Sequence, residues 1–563
     1  MNWVEGRLFL YLRRAVVAAL VLGLLAGLFL PIYTDEVGWR LQERAWIDGV
    51  DKLYSENCGP NTLAVPPWFM WPVRWYSATF NLRFPDPLFV RISGVAYALV
   101  FLWLLLRLVG RIGRSEGERN ILAVIGASLM GFGVLPLLLV WSRPEQPLFL
   151  AITAAILIAS GGWRSPGNLF APFHGIDYAS GAATPIAAWR RSLGILALGV
   201  IALSYHFKAV MLVPAFALSI VFASRGQRTL AARGVAIALL LLATGGAAKY
   251  WVARLECPAD PIIAQEHAHE NLLGQLAVGS TPPLVVAGKL IENYKPHKYI
   301  DMAAPVVHPM SQWLPAGRVS DDEMHGWQGG MAAIWALALA AAAVATGLMA
   351  WRAWRERMVP PETVLALALF GTMSVYCVSQ VVRHVYEVSF VLPMGMLAIV
   401  LALSAPWRSD RLRQATAVLA LAFGPLMLLS EMLVMGYYAP PLAEAAGTRD
   451  IVPHQAWSVP VFGYHRSYQD IAAAARACRL PFPRDAKAVL IDDVTYFAYM
   501  QSRLPEHELA ILTPGKRGSI SDPMAYLRER GSSGVLLRCA RLSPDLRARA
   551  HQVGAYCCLA PGD

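Results

Sequence analysis

The chain has 563 residues and a mass of 61.5 kDa; 56% of its residues are hydrophobic, 15% are charged, and its mean hydropathy is +0.44. Soluble proteins average about 25% charged residues, so a cytosolic enzyme is excluded, and Gly and Pro scattered without a period exclude a collagen-like or low-complexity chain. The net charge of +11 would suggest nucleic acid in a soluble protein. In a chain this apolar the surplus belongs on the cytoplasmic side of a membrane, and no nucleic-acid partner is expected.

Apolar runs suited to crossing a bilayer, about 20 residues each, fall at 15–31, 89–108, 120–141, 147–162, 192–205, 209–223, 234–252, 329–350, 363–381, 387–404 and 414–436. They predict a polytopic α-helical membrane protein of about eleven transmembrane helices. The first run lacks a small-residue cleavage site and passes directly into Pro31, so it reads as an anchor and not a signal peptide. Arg7, Arg13 and Arg14 precede it. Alternate short loops carry arginine clusters, among them Arg107, Arg111, Arg114 and Arg119, while the loops between them carry one cation each: Arg143, Lys208 and Arg383. This alternation predicts a cytoplasmic N-terminus and a C-terminus outside.

Three longer segments then fall on the outer face, at 32–88, 253–328 and 437–563. In the first, Trp39, Trp46, Val50 and Leu53 share one helical stripe, as in a helix lying along the interface. In the last, 488–491 and 534–537 read as buried strands and 544–551 as a helix between strands, so a small α/β domain is expected at 437–563, after a membrane module at 1–436. Six of the seven cysteines lie in these segments, and a bridge between Cys58 and Cys257 would tie the first two together. Cys377 lies in a span, and no Cys/His spacing suits structural zinc.

Charges at membrane depth are costly and mark function by default. Four polar clusters lie at outer span ends. Thr34-Asp35-Glu36 follows the first span; it can be a helix cap, or a carboxylate pair whose partial desolvation suits a general base. Ser142-Arg143-Pro144-Glu145-Gln146 is a tight turn with an ion pair, alone no more than a snorkelling arginine. Ser204-Tyr205-His206-Phe207-Lys208 and Arg383-His384-Val385-Tyr386-Glu387 are tight turns whose cations suit a phosphate at headgroup depth. Carboxylates opposite cations there fit transfer of a group from a lipid phosphate to a hydroxyl. By contrast Glu266-His267-Ala268-His269-Glu270 reads as a solvated loop, because residues i and i+2 of a helix point apart. His297, His308 and His325 read as surface histidines, and Asp321-Asp322-Glu323 as a solvated turn.

The order and common side of Thr34-Asp35-Glu36, Ser142-Arg143-Pro144-Glu145 and Tyr205-His206-Phe207-Lys208 with Pro214 resemble the GT-C superfamily of integral-membrane glycosyltransferases. The likeness covers about the first 255 residues; the tail matches no member, and a WWD-type motif is lacking, which argues against asparagine glycosylation. The resemblance implies a polyprenyl-phosphate sugar donor, a glycan, lipid or protein acceptor, and inverting transfer at the periplasmic face of a bacterial inner membrane. It implies Asp35 as catalytic base, with Glu36 and Glu145 supporting the acceptor. His206, Lys208, Arg383 and Arg143 would meet the donor phosphate. No cofactor is required, although a divalent metal at Glu145 is compatible with it. Two alternatives stay open: a transporter or flippase of lipid-linked glycans, which should show charges within spans and inverted repeats, and an enzyme like the O-antigen ligases and polymerases, which needs no early Asp-Glu pair.

Overall fold

In the computed structural model the described residues are 3–33, 36, 87–143, 145–161, 185–223, 229–256, 282–295, 297–303, 321–356, 360–380, 387–405, 410–447, 458–459, 461–482, 489–499 and 533–560. Helices dominate because a backbone in lipid must satisfy its own N–H and C=O groups. The first half comprises α1 (Trp3–Ala26), β1 (Ile32–Tyr33), α2 (Pro87–Ile112), α3 (Glu116–Met130), α4 (Leu135–Leu139), α5 (Glu145–Ser160), α6 (Pro185–Tyr205), α7 (Val213–Phe222) and α8 (Leu230–Glu256). After these come α9 (Pro283–Asn293), α10 (His297–Ala303), α11 (Asp321–Glu356), α12 (Pro361–Ser379), α13 (Val388–Ser404) and α14 (Asp410–Gly447). Among the described residues, seven stretches are long and apolar enough to cross a membrane: Arg7–Phe29, Pro87–Ile112, Ile186–Tyr205, Leu230–Lys249, Gly329–Arg352, Pro361–Ser379 and Leu412–Pro440. Three more apolar helices, Glu145–Ser160, Lys208–Phe222 and Val388–Ser404, are shorter. The chain is a multi-pass membrane protein.

The helix α13 is apolar around its whole circumference and is buried along its whole length. A helix of that kind belongs in the centre of a bundle, and α12, α11, α3 and α5 surround it. The outer helices keep Leu22, Trp103, Leu242, Val344 and Met432 exposed, as side chains facing lipid should be. Near the arginine-bearing end of α11, Arg355 stacks over the Trp351 ring at 4.9 Å, an aromatic belt at the headgroup boundary.

Two sequence expectations need correction. The run at 120–141 is not one span: α3 stops at Met130, and after Phe132–Val134 the chain resumes as α4. α3 is capped at Gly131, Gly133 takes the left-handed φ of 60° in the turn that follows, and Pro136 lies in the first turn of the next helix. Asp321-Asp322-Glu323 is likewise no free turn but the first turn of α11.

The tail follows α14, which runs unbroken to Gly447. It holds β2 (Ser458–Val459), α15 (Tyr464–Ala477), β3 (Val489–Ile491), α16 (Asp493–Ala498), β4 (Gly534–Arg538), α17 (Pro544–Arg549), β5 (His551–Val553) and β6 (Tyr556–Leu559). The sheet order is β3-β4-β6-β5, with β3 and β4 parallel and the rest antiparallel. Disulfides Cys478–Cys558 and Cys539–Cys557 fasten β6 to α15 and to the end of β4. At the end of β3, buried Asp492 accepts from the backbone N–H groups of Val494, Thr495 and Arg538 and from Arg538 Nε at 3.1 Å. Burial alone would push this carboxyl up, but Arg538 and those N–H donors hold it below the ordinary aspartate range. The tail is not detached: β2 pairs antiparallel with β1, Ile32 opposite Val459 and Tyr33 opposite Ser458, and Phe462 stacks on Phe29 at 5.5 Å.

Candidate active site

The described members of three sequence clusters form one buried electrostatic node. Glu36 is fully buried. One of its oxygens takes an ion pair from Arg91 Nη2 at 2.8 Å, and the other accepts from the Ser142 N–H at 2.7 Å. Arg91, equally buried, also donates to the carbonyls of Pro31 at 2.8 Å and Val140 at 3.2 Å. A single guanidinium thus ties the end of the first span, the turn after α4 and the Thr34-Asp35-Glu36 motif. Three residues further along α2, Gly94 permits this approach, because a Cβ there would collide with the Val140 carbonyl oxygen. Ser93 and Ser142 join their hydroxyls at 3.0 Å, and Gln146 donates to the carbonyls of Gly94 and Leu139.

Glu145 opens α5, where the positive end of the helix favours a carboxylate. Its Oε1 meets Lys208 Nζ at 2.5 Å and its Oε2 meets Arg143 Nε at 3.3 Å. Lys208 is buried and lies over the rings of Tyr376, at 5.4 Å, and Phe390, at 5.7 Å. His206 caps the following 3-10 turn, with Nδ1 accepting from the Lys208 N–H at 3.1 Å, so its ring sets the backbone of the lysine. Beyond Tyr376, Glu387 accepts from the Tyr376 hydroxyl at 2.8 Å and from the Tyr299 hydroxyl at 3.4 Å.

The expected residues therefore fall as follows. Glu36, Arg143, Glu145, His206 and Lys208 come together at one end of the bundle. Asp35, Arg383, Cys58 and Cys257 lie outside the described residues, as do the interfacial stripe from Trp39 and the 266–270 cluster. Both oxygens of Glu36 and both of Glu145 hold internal partners. Among the described residues no group of three or more His, Cys, Asp and Glu side chains is disposed to hold a metal. Arg91, Tyr299 and Tyr376 were not singled out by sequence. The signal for Arg91 was available: it is an arginine inside the 89–108 run, which by the cost of intramembrane charge asks for a partner. Tyr299 comes from the outer segment 253–328, whose position over α12 and α13 no local pattern discloses.

Fold and site together define a multi-pass membrane protein with a buried cluster of ion pairs at one end of its bundle and a disulfide-linked α/β domain clasped to that end. No protein-family model matches the sequence, and no curated protein matches it. Among solved structures the chain is similar to ArnT from Cupriavidus metallidurans bound to undecaprenyl phosphate, with TM-score 0.45 and 14% identity over 97% of both chains. It is similar to the apo state of the same protein at TM-score 0.44 and 12% identity, again over 97% of both. The archaeal oligosaccharyltransferase AglB from Archaeoglobus fulgidus, in complex with an inhibitory peptide and a dolichol-phosphate, is similar at TM-score 0.44 and 11% identity, over 96% of this chain and 70% of its own.

Proposed function

We propose that the chain is a GT-C-type glycosyltransferase that moves a sugar from a polyprenyl phosphate to a hydroxyl acceptor at the outer face of a bacterial inner membrane. The observation that carries this reading is the node itself. Two buried cations, Lys208 and Arg143, are gathered on one carboxylate, Glu145, at the end of the bundle where Glu36 is also held. Cations brought together at a buried span end are the kind of group that meets a lipid phosphate.

In this reading Asp35 takes the proton of the acceptor hydroxyl as its oxygen attacks the anomeric carbon. The bond from that carbon to the phosphate oxygen breaks on the opposite side, so configuration inverts and the lipid phosphate leaves with the electron pair. Lys208 and Arg143, with Arg383, meet the charge that grows on the leaving phosphate. Glu36 acts by holding: its two bonds fix the peptide adjoining Asp35, whose Cα lies about 3.8 Å from that of Glu36 by covalent geometry.

The test is Asp35→Asn in the full-length protein in lipid bilayers, assayed with labelled polyprenyl-phosphate sugars. Transfer should fall by at least about 100-fold, the contribution typical of a general base, with donor binding retained; unchanged transfer sinks the assignment. Because Glu145 is already engaged by two cations, transfer is expected to persist in the presence of a chelator. Loss on chelation, restored by a divalent ion, would put a metal at this site.

A further inference from the structure

One buried carboxyl stands apart from the node. Glu431 lies on α14 within the Leu412–Pro440 span and is only 5% exposed, and neither of its oxygens has a hydrogen-bond partner among the described residues. The sequence reading passed over it, since one acid does not interrupt an apolar run. Across the seam stands Gly23 of α1, where an added Cβ would lie 2.8 Å from both carboxyl oxygens. The glycine leaves the space that the carboxyl occupies. The adjoining Ser430 fixes the register, its hydroxyl accepting from the Gly133 N–H at 2.9 Å. Leu22, Leu25, Leu429 and Met432 form exposed, lipid-facing rims on both sides of this seam.

No described cation stands at this level. On α1 the titratable residues are Glu5, Arg7, Tyr11, Arg13 and Arg14; the nearest, Arg14, is about 13 Å from Gly23 along the helix axis. On α3 they are Glu116, Glu118 and Arg119, about 18 Å or more from the Gly131–Gly133 break that faces Ser430. The 3-10 turn at Gly27–Phe29 carries none. On α14 itself Arg413 lies far below, and Tyr437 and Tyr438 lie about 9–10 Å above. An ionised carboxylate without a donor or counter-charge is not sustainable in such a place, whereas the neutral acid is.

We propose that Glu431 is an intramembrane proton-binding site, carried as the neutral carboxylic acid in the seam between α1 and α14, and that its proton can leave only if the seam opens to water or a cation. The inference is independent of the transfer reaction. It predicts a protonated-carboxyl C=O stretch in the infrared spectrum of the full chain in lipid bilayers near neutral pH, lost in Glu431→Gln. If the substitution removes carboxylate bands instead, the proposal is overturned.

A chemical probe needs no variant. The O–H of a carboxylic acid adds across a C=N bond of a carbodiimide: the oxygen bonds to the central carbon and the proton goes to nitrogen. The resulting O-acylisourea rearranges to a stable N-acylurea that mass spectrometry locates. Dicyclohexylcarbodiimide, which partitions into lipid, should label Glu431 while a water-soluble carbodiimide does not. Labelling by the water-soluble reagent in the intact bilayer would overturn the placement.

Discussion

Arg91 holds three acceptors from three separate segments, so its removal and its replacement by lysine should differ. Arg91→Met removes the guanidinium paired with buried Glu36, and breaking a buried pair from one side costs about 3–5 kcal/mol. Arg91→Lys keeps the charge but loses the fork that reaches Pro31 and Val140 together. It should retain most of the thermal stability while lowering turnover, which melting and transfer assays on the same protein would separate. For the second pair, Lys208→Met and Glu145→Leu should be non-additive, because each single change removes one side of the same buried ion pair. A double-mutant cycle in thermal unfolding measures that coupling, and strict additivity would deny that Lys208 and Glu145 interact.

Among the elements, the break between α3 and α4 and the close approach of α2 both rest on glycine. Gly133→Ala meets the left-handed backbone directly and should cost about 1 kcal/mol. Gly94→Ala should cost more, about 1–3 kcal/mol from overpacking, and should displace Arg91 with it. The multi-pass helical character was legible in the sequence because long apolar runs are repeated, local signals. The 120–141 break was hidden because Gly131, Gly133 and Pro136 are unremarkable residues in a membrane helix, where neighbours can satisfy a freed backbone. The candidate site was legible as clusters at loop ends, but its connections were not. Which of Lys208, Arg143 and Arg383 meets Glu145 depends on how α5, α6 and α12 pack, and no spacing along the chain records that. The tail strands could be read from their apolar runs, whereas the cysteine pairing could not, since four cysteines permit three arrangements.

For the molecule as a whole, the tail should respond to acid before the bundle does. The folded-state carboxyl of Asp492 is held below its ordinary range, so its contribution is fully present above the unfolded value of about 3.9 and is lost as pH falls through the lower folded value. Limited proteolysis should therefore show the tail opening under strong acid, and Asp492→Asn should reproduce this opening at neutral pH. Reduction should loosen the same domain. The Cys478–Cys558 bridge closes a loop of 80 residues against 18 for Cys539–Cys557, so its loss should cost about 1 kcal/mol more by chain entropy.

The pairing of β1 with β2 has a consequence for biogenesis. β1 leaves the ribosome with the first membrane helix, but its partner strand emerges only after the last one has been made. Throughout synthesis the strand leading into Thr34-Asp35-Glu36 has an open edge, and a chain stopped at Gly447 carries every residue assigned to transfer yet lacks the clasp. A nascent chain should thus lack this clasp until residues 458–459 have been made. Two strand residues of the tail time the maturation of a centre whose first members lie far earlier in the chain.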